Sequence, residues 1–153
     1  MRADEFKPRA ERKEKIGPRA GLIPYFKSTK GLMVYLMKPS DVKYGGPKKQ
    51  IAKGGIDDGE TPLAAAMREA KEELGLRANN IKDVELTLET DEITLTDQYH
   101  MSVFAGEIID PGAWDKPHFE TGWCGWVTID YAINKGRHNH RQHFEVIKQK
   151  YEI

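Results

Sequence analysis

Apolar residues in this chain follow two rhythms. Two apolar runs, 19–26 (RAGLIPYF) and 31–38 (GLMVYLMK), flank a Lys-Ser-Thr-Lys turn and predict a β-hairpin. Pro24 inside the first run points to an edge strand or a bulge, because proline brings no N–H to a ladder. Residues 39–49 are rich in proline, glycine and lysine and predict a loop, followed by a short strand from Gln50 to Ala52. After Thr61 the period becomes helical: Leu63, Met67, Ala70 and Leu74 recur at spacings of four, three and four, one apolar stripe. Thr61 suits the N-cap, Pro62 the first helical position and Gly75 the end. Residues 83–95 alternate as a strand does, and 99–109 and 123–129 predict two more. A helix over 139–151 sets Phe144, Ile147 and Tyr151 on one face. Strands bracketing two amphipathic helices predict an α/β (α+β) fold, a mixed sheet with helices on its faces. Residues 1–17, ending in Gly17-Pro18, read as a mobile or loosely docked arm ahead of one domain over 18–153.

Composition narrows the class. With 153 residues, 39% of them hydrophobic, the chain suits one domain with a real core. The net charge of zero gives no global field toward nucleic acid or membrane. Cys124 is the one cysteine, which excludes an internal disulfide and fits a reducing cytoplasm. The charged N-terminus lacks the apolar segment of a signal peptide, and no apolar run reaches the roughly 18 residues of a membrane span.

Chemistry concentrates in residues 54–76, GGIDDGETPLAAAMREAKEELGL. Glu69, Glu72 and Glu73 fall on a helix face other than the apolar stripe, where like charges repel by roughly 0.2–0.5 kcal/mol per pair. A cation between them would relieve that repulsion, and hard oxygen donors favour Mg²⁺ or Mn²⁺. A solvated acidic face gives the same pattern, so the three glutamates alone do not decide.

The whole arrangement does more. Gly54 precedes Glu60 by six residues, Arg68 and Glu69 follow Glu60 by eight and nine, and Glu72, Glu73, Gly75 and apolar Leu76 complete the series. This resembles the box of the Nudix hydrolases, with every charged and glycine position filled. Ala70 departs from it, standing where a bulkier aliphatic residue is usual, and predicts tighter packing there. The resemblance implies a mixed curved sheet sandwiched between helices, with the box forming a loop-helix-loop. It also implies a Mg²⁺-dependent pyrophosphohydrolase, with Mn²⁺ able to substitute, that splits a nucleoside diphosphate linked to another group. Glu69, Glu72, Glu73 and the Gly54 carbonyl would hold the cation, and Arg68 would orient Glu69. Gly55 and Lys53 would meet the substrate phosphates. Glu60 is either structural or an outer ligand. Relatives often carry a further glutamate on a loop before the strand leading to the last helix. Glu120 matches, six residues ahead of Trp126, as a fourth ligand or general base, a role it shares with Glu69; Asp91 and Glu92 are weaker candidates.

His138, His140 and His143 with Arg137 and Arg141 read as a solvated helix start or a phosphate-facing basic patch rather than a zinc site. Lys48 and Lys49 are candidates for outer phosphates. For substrate, the proline typical of ADP-sugar members is replaced by Asp91 and the tyrosine of dinucleoside polyphosphate members by Ile93, and the marker upstream of the box in coenzyme A pyrophosphatases is absent. Tyr25, Tyr35, Tyr44, Phe104 and Trp123 are available to stack on a base. The expected partner is a small nucleotide such as a dinucleoside polyphosphate or ADP-ribose, with no membrane, and a second copy of the chain as a candidate homodimer partner. Two alternatives remain: pyrophosphate removal from RNA 5′ ends, the one nucleic-acid partner considered, and a nucleotide sensor that binds without turnover. Sensors of this kind usually lose box carboxylates, all of which are present here.

Overall fold

The computed structural model describes residues 14–152. Strands β1 (Glu14–Lys15), β2 (Arg19–Ser28), β3 (Gly31–Pro39) and β4 (Ala52–Gly55) precede helix α1 (Pro62–Leu74). Strands β5 (Ile81–Ile93), β6 (Asp97–Ile108) and β7 (Thr121–Thr128) follow, then helices α2 (Ile129–Lys135) and α3 (Arg141–Tyr151). One open, mixed sheet runs β1-β6-β2-β3-β7, with β4 added to β2 and β5 to β6. The β1–β6 and β2–β6 pairs are parallel and the others antiparallel. Most of the arm expected over 1–17 lies outside the described residues. Its last part pairs Glu14 and Lys15 with Asp97 and Gln98.

Two apolar layers make the sandwich. Phe144, Ile147 and Tyr151 of α3 and Ile129 of α2 pack on Ile23, Val34 and Met101 on one side. On the other, α1 packs Ala65, Ala66, Ala70 and Leu74 against Ala20, Leu22 and Ala52. Helix α2 was not legible as apolar periodicity; Thr128 starts it by accepting the Tyr131 N–H.

The stripe expected on α1 is rotated. Leu63 is 41% exposed, and the helix turns its alanines to the sheet. Small side chains let its backbone approach β2 and β4 closely, and fully buried Ala70 belongs to that contact. At roughly 100° per residue, the arc from Ala65 and Ala66 to Leu74 also contains Glu69 and Glu73. Those two carboxylates therefore ride on the sheet side of the helix, not on its solvent face.

Pro24 is not on an edge. Strand β2 pairs with β4 through residues 19–22 and with β3 through 25–28. Pro24 occupies the changeover, where only β6 is paired with β2, so no second ladder needs its N–H.

Candidate active site

The box begins at the end of β4 and continues into α1. Thr61 caps the helix by accepting the Ala64 N–H at 3.1 Å, and Gly75 ends it in the left-handed region at φ 76°. A Cβ on Gly75 would stand 1.8 Å from the Asp115 carbonyl oxygen, so this turn accepts only glycine. The Asp115 N–H donates to the Gly75 carbonyl at 2.7 Å and the His118 N–H to that of Glu72 at 2.6 Å. Thr121 Oγ1 donates to the Glu73 carbonyl at 2.8 Å. The segment between β6 and β7 is thereby fastened to the end of α1, which carries Glu120 to the same cleft.

Arg68 organises the acidic side. Its Nε and Nη2 grip Glu60 as a fork, both at 2.9 Å, while Nη1 donates to Glu69 at 2.8 Å and Nη2 to the Gly55 carbonyl at 3.0 Å. Glu60 also accepts the Asp57 N–H at 3.0 Å. These bonds hold the Glu60 carboxyl at about 2, the Arg68 fork contributing most. Glu60 is thus a strut of the loop. The i,i+4 contact from Arg68 to Glu72 is longer, 3.8 Å. The Glu69 carboxylate lies in the space that a side chain on Gly54 would fill: an added Cβ would meet its Oε1 at 2.2 Å. That glycine is required by a close approach.

Glu73 lies deeper. It accepts the Lys53 N–H at 3.3 and 3.4 Å through its two oxygens. Burial and then the charge of Glu69 raise its carboxyl to about 8. Burial also raises Glu69, against the pull of Arg68. Lys53 is pushed down to about 7, first by burial and then by Arg137 and Arg19. Glu72 is nearly half exposed at the cleft mouth.

A cleft of about 890 Å³ is lined by Glu69, Glu72, Glu73 and Glu120, by Gly54 and Gly55, and by Arg19, Lys53 and Arg137. Of the residues singled out from the sequence for cation or phosphate chemistry, Lys53, Gly54, Gly55, Glu69, Glu72, Glu73, Glu120, Arg137 and His138 reach it. Arg68 and Glu60 support it from behind, and Lys48, Lys49, Asp91, Glu92, His140, His143 and Arg141 do not line it. Lys49 instead donates to the Tyr131 hydroxyl at 2.9 Å. Among the described residues no three acidic or imidazole groups already converge on one point. Even so, the donor set suits a hard divalent cation. Two half-buried carboxylates repel each other beside a glycine backbone that leaves their oxygens room, and all donors are oxygens.

The structure divides the histidine patch: His138 lines the cleft beside Arg137, while the other two histidines do not. His140 and His143 are fully buried, not solvated. His140 Nδ1 accepts the Ile51 N–H at 3.2 Å, and burial holds its pKa well below the usual range. His143 Nε2 sits 3.3 Å from Glu92, a carboxylate β5 brings from 51 residues away. Glu92 is only 4% exposed, and Asp91 lies against His100. Tyr25, Tyr35 and Phe104 are core residues; Tyr44 stays exposed on the cleft rim. Arg19 was missed by the sequence reading, and its one signal was a cation opening a buried strand. Arg137 points into the cleft while Arg141 pairs with Glu145 at 2.9 Å.

The chain is 30% identical over 123 residues to an RNA pyrophosphohydrolase of Francisella tularensis subsp. mediasiatica, covering 67% of this chain and 78% of that protein. A 40-residue stretch is 50% identical to an RNA pyrophosphohydrolase of Aliivibrio fischeri, where the match spans 24% of the relative's length and 26% of this chain. The fold resembles the crystal structure of an Ap4A hydrolase binary complex from C. elegans, with TM-score 0.68, 20% identity and coverage of 88% of this chain and 94% of the other. A family model, the NUDIX domain, matches residues 15–148. The loop-helix-loop box, the layered sheet and this match together place the chain in the Nudix family, whose hydrolases generally use divalent metals.

Proposed function

We propose that this protein is a divalent-metal-dependent pyrophosphohydrolase of nucleoside diphosphates linked to another group. The observation that carries the reading is the half-buried pair Glu69 and Glu73 against Gly54, with Glu72 and Glu120 on the same cleft. Glu69, Glu72, Glu73 and the Gly54 carbonyl would hold Mg²⁺, or Mn²⁺ in its place. When bound, the cation would neutralise phosphate charge and lower the pKa of water. Arg68 fixes the Glu69 carboxylate and ties it through Glu60 to the loop. Lys53 and the open backbone at Gly55 line the same cleft and would be available to substrate phosphates. Small nucleotides, such as dinucleoside polyphosphates or ADP-ribose, are the expected substrates, and a cytoplasmic location goes with the lone Cys124. Similarity to RNA pyrophosphohydrolases favours a second reading, removal of pyrophosphate from RNA 5′ ends.

The test is a panel of nucleoside diphosphate derivatives and 5′-triphosphorylated RNA, assayed with Mg²⁺ or Mn²⁺ and with products identified by mass. Turnover is expected with either ion and none in excess chelator. Undiminished hydrolysis in chelator would refute a divalent-dependent mechanism, and binding without products would indicate a sensor.

Glu120 is the candidate base or fourth ligand. Its exposed loop position means the scaffold does not depend on it, so Glu120→Gln is expected to leave the melting temperature unchanged. As a base, its loss lowers kcat by about 10²-fold at near-constant KM. As a ligand, much of that loss returns at high Mg²⁺. A change in neither parameter beyond a few-fold sends the search for the base back to Glu69.

A further inference from the structure

The cleft carries cations that the carboxylate chemistry does not use. Arg19 places its guanidinium 5.1 Å from the centre of the Tyr99 ring. Arg137, in the turn between α2 and α3, donates from Nη1 to Gln50 Oε1 at 3.2 Å and from its backbone N–H to the Lys49 carbonyl at 2.8 Å. The 40–46 loop closes around this pair: Gly45, at φ +112°, has no room for a Cβ, which would stand 2.9 Å from Arg137 Nη1. Arg137 is therefore held in position and not swinging freely in solvent.

Register decides which way these groups face. Arg19 pairs with Gly55 and Gly21 with Lys53, while Ala20 pairs with Gly54. Paired residues share a face and neighbours alternate. Arg19 and Lys53 thus lie on one face of the sheet, with Tyr99, and Gly54 with the Glu69 carboxylate lies on the other. Among the described residues none of Arg19, Lys53 and Arg137 makes a salt bridge within 4.0 Å. Of the acids whose charge reaches them, Glu92 is engaged with His143 and Thr90 and Glu69 with Arg68, while Glu73 acts on Lys53 alone and accepts its backbone N–H, leaving the two arginines without a counter-ion. Half-buried guanidinium groups crowded without a counter-ion are unfavourable until an anion arrives.

We propose that Arg19 and Arg137 bind a phosphate beyond the two at the scissile linkage, so that the cleft selects substrates with a chain of three or more phosphates. The proposal rests on the hydrolytic reading of the same cleft. A diphosphate held at the carboxylates remains on their side of β4, whereas a longer chain crosses the strand and delivers its next phosphate to the guanidinium groups. Planar guanidinium forks match phosphate oxygens in pairs, which is why two arginines and not lysines are the selective elements.

The test has an equilibrium arm and a kinetic arm. With metal chelated, tripolyphosphate is titrated calorimetrically into the wild type, Arg19→Gln and Arg137→Gln. The wild type is expected to bind it, and each variant to bind about 10- to 100-fold more weakly. With Mg²⁺, the ratio of kcat/KM for ATP or diadenosine tetraphosphate over that for ADP-ribose is expected to fall by a similar factor in each variant. Among the described residues the Arg19 guanidinium packs on the Tyr99 ring and makes no side-chain hydrogen bond, so Arg19→Gln still reads the site if the Gln50 contact makes Arg137→Gln unstable. An unchanged ratio, or tripolyphosphate binding equal in all three proteins, overturns the proposal. Absence of hydrolysis by the wild type would instead defeat the hydrolytic reading, while the titration still decides the anion site. A 5′-triphosphorylated oligoribonucleotide carries the same chain, and its kcat/KM against ATP identifies which source the cleft takes.

Discussion

Glu69→Gln and Glu73→Gln are each expected to lower kcat by a factor on the order of 10²–10⁴, as loss of a cation contact or of a base would. Glutamine preserves shape, so the fold should persist, and in chelator the Glu73 variant should be the more stable protein at alkaline pH. The sign follows from where Glu73 titrates. Its carboxyl stands at about 8 in the folded protein against an ordinary 4.5, so folding binds a proton between those values. Stability of the metal-free wild type therefore falls as pH rises through that window, and Glu73→Gln should flatten the slope. Thermal melts in chelator from pH 4.5 to 9, with and without added Mg²⁺, measure this. Parallel slopes in wild type and variant, or near-normal turnover in Glu69→Gln, would remove these residues from the chemistry.

Gly54→Ala should lower kcat by about 10²-fold while hardly moving the melting temperature. The new methyl would collide with the Glu69 carboxylate, with all three close contacts at 2.7 Å or less. That carboxylate is the end of a flexible side chain, so the clash is relieved by swinging it away, at little cost to the fold. The price is borne by function, because a catalytic group misplaced by roughly 1 Å can lose 10²-fold in rate. Gly55 is the control. Nothing lies within 4 Å of a Cβ there, so Gly55→Ala leaves Glu69 undisturbed. Equal kinetics in the two alanine variants would mean that the approach of Glu69 to β4 has no role in turnover.

Local chemistry fixed a good part of this protein before any tertiary contact was known. Thr61, Pro62 and Gly75 set the ends of α1 through their own hydrogen bonds and dihedral angles, which need no neighbours. Alternation and helical period located the hairpin, the long β5–β6 pair and α3. The box residues could be named because their spacing along one helix and its preceding loop is a local property. Tertiary structure decided what each residue faces. Periodicity weighs apolar residues by size, so it centred α1 on Leu63 and Met67, whereas close packing on β2 and β4 selects the alanines. His140 and His143 read as solvated because imidazole is polar; the layer beneath α3 buries them against Ile51 and Glu92, partners that only the fold brings near. Glu120 reaches the cleft through backbone bonds from its loop to the end of α1, and Arg19 meets Arg137 only when β2 and the α2–α3 turn come together. A sequence specifies donors, caps and periods over a few residues; counter-ions, burial and the sharing of one cleft depend on contacts between segments far apart in the chain.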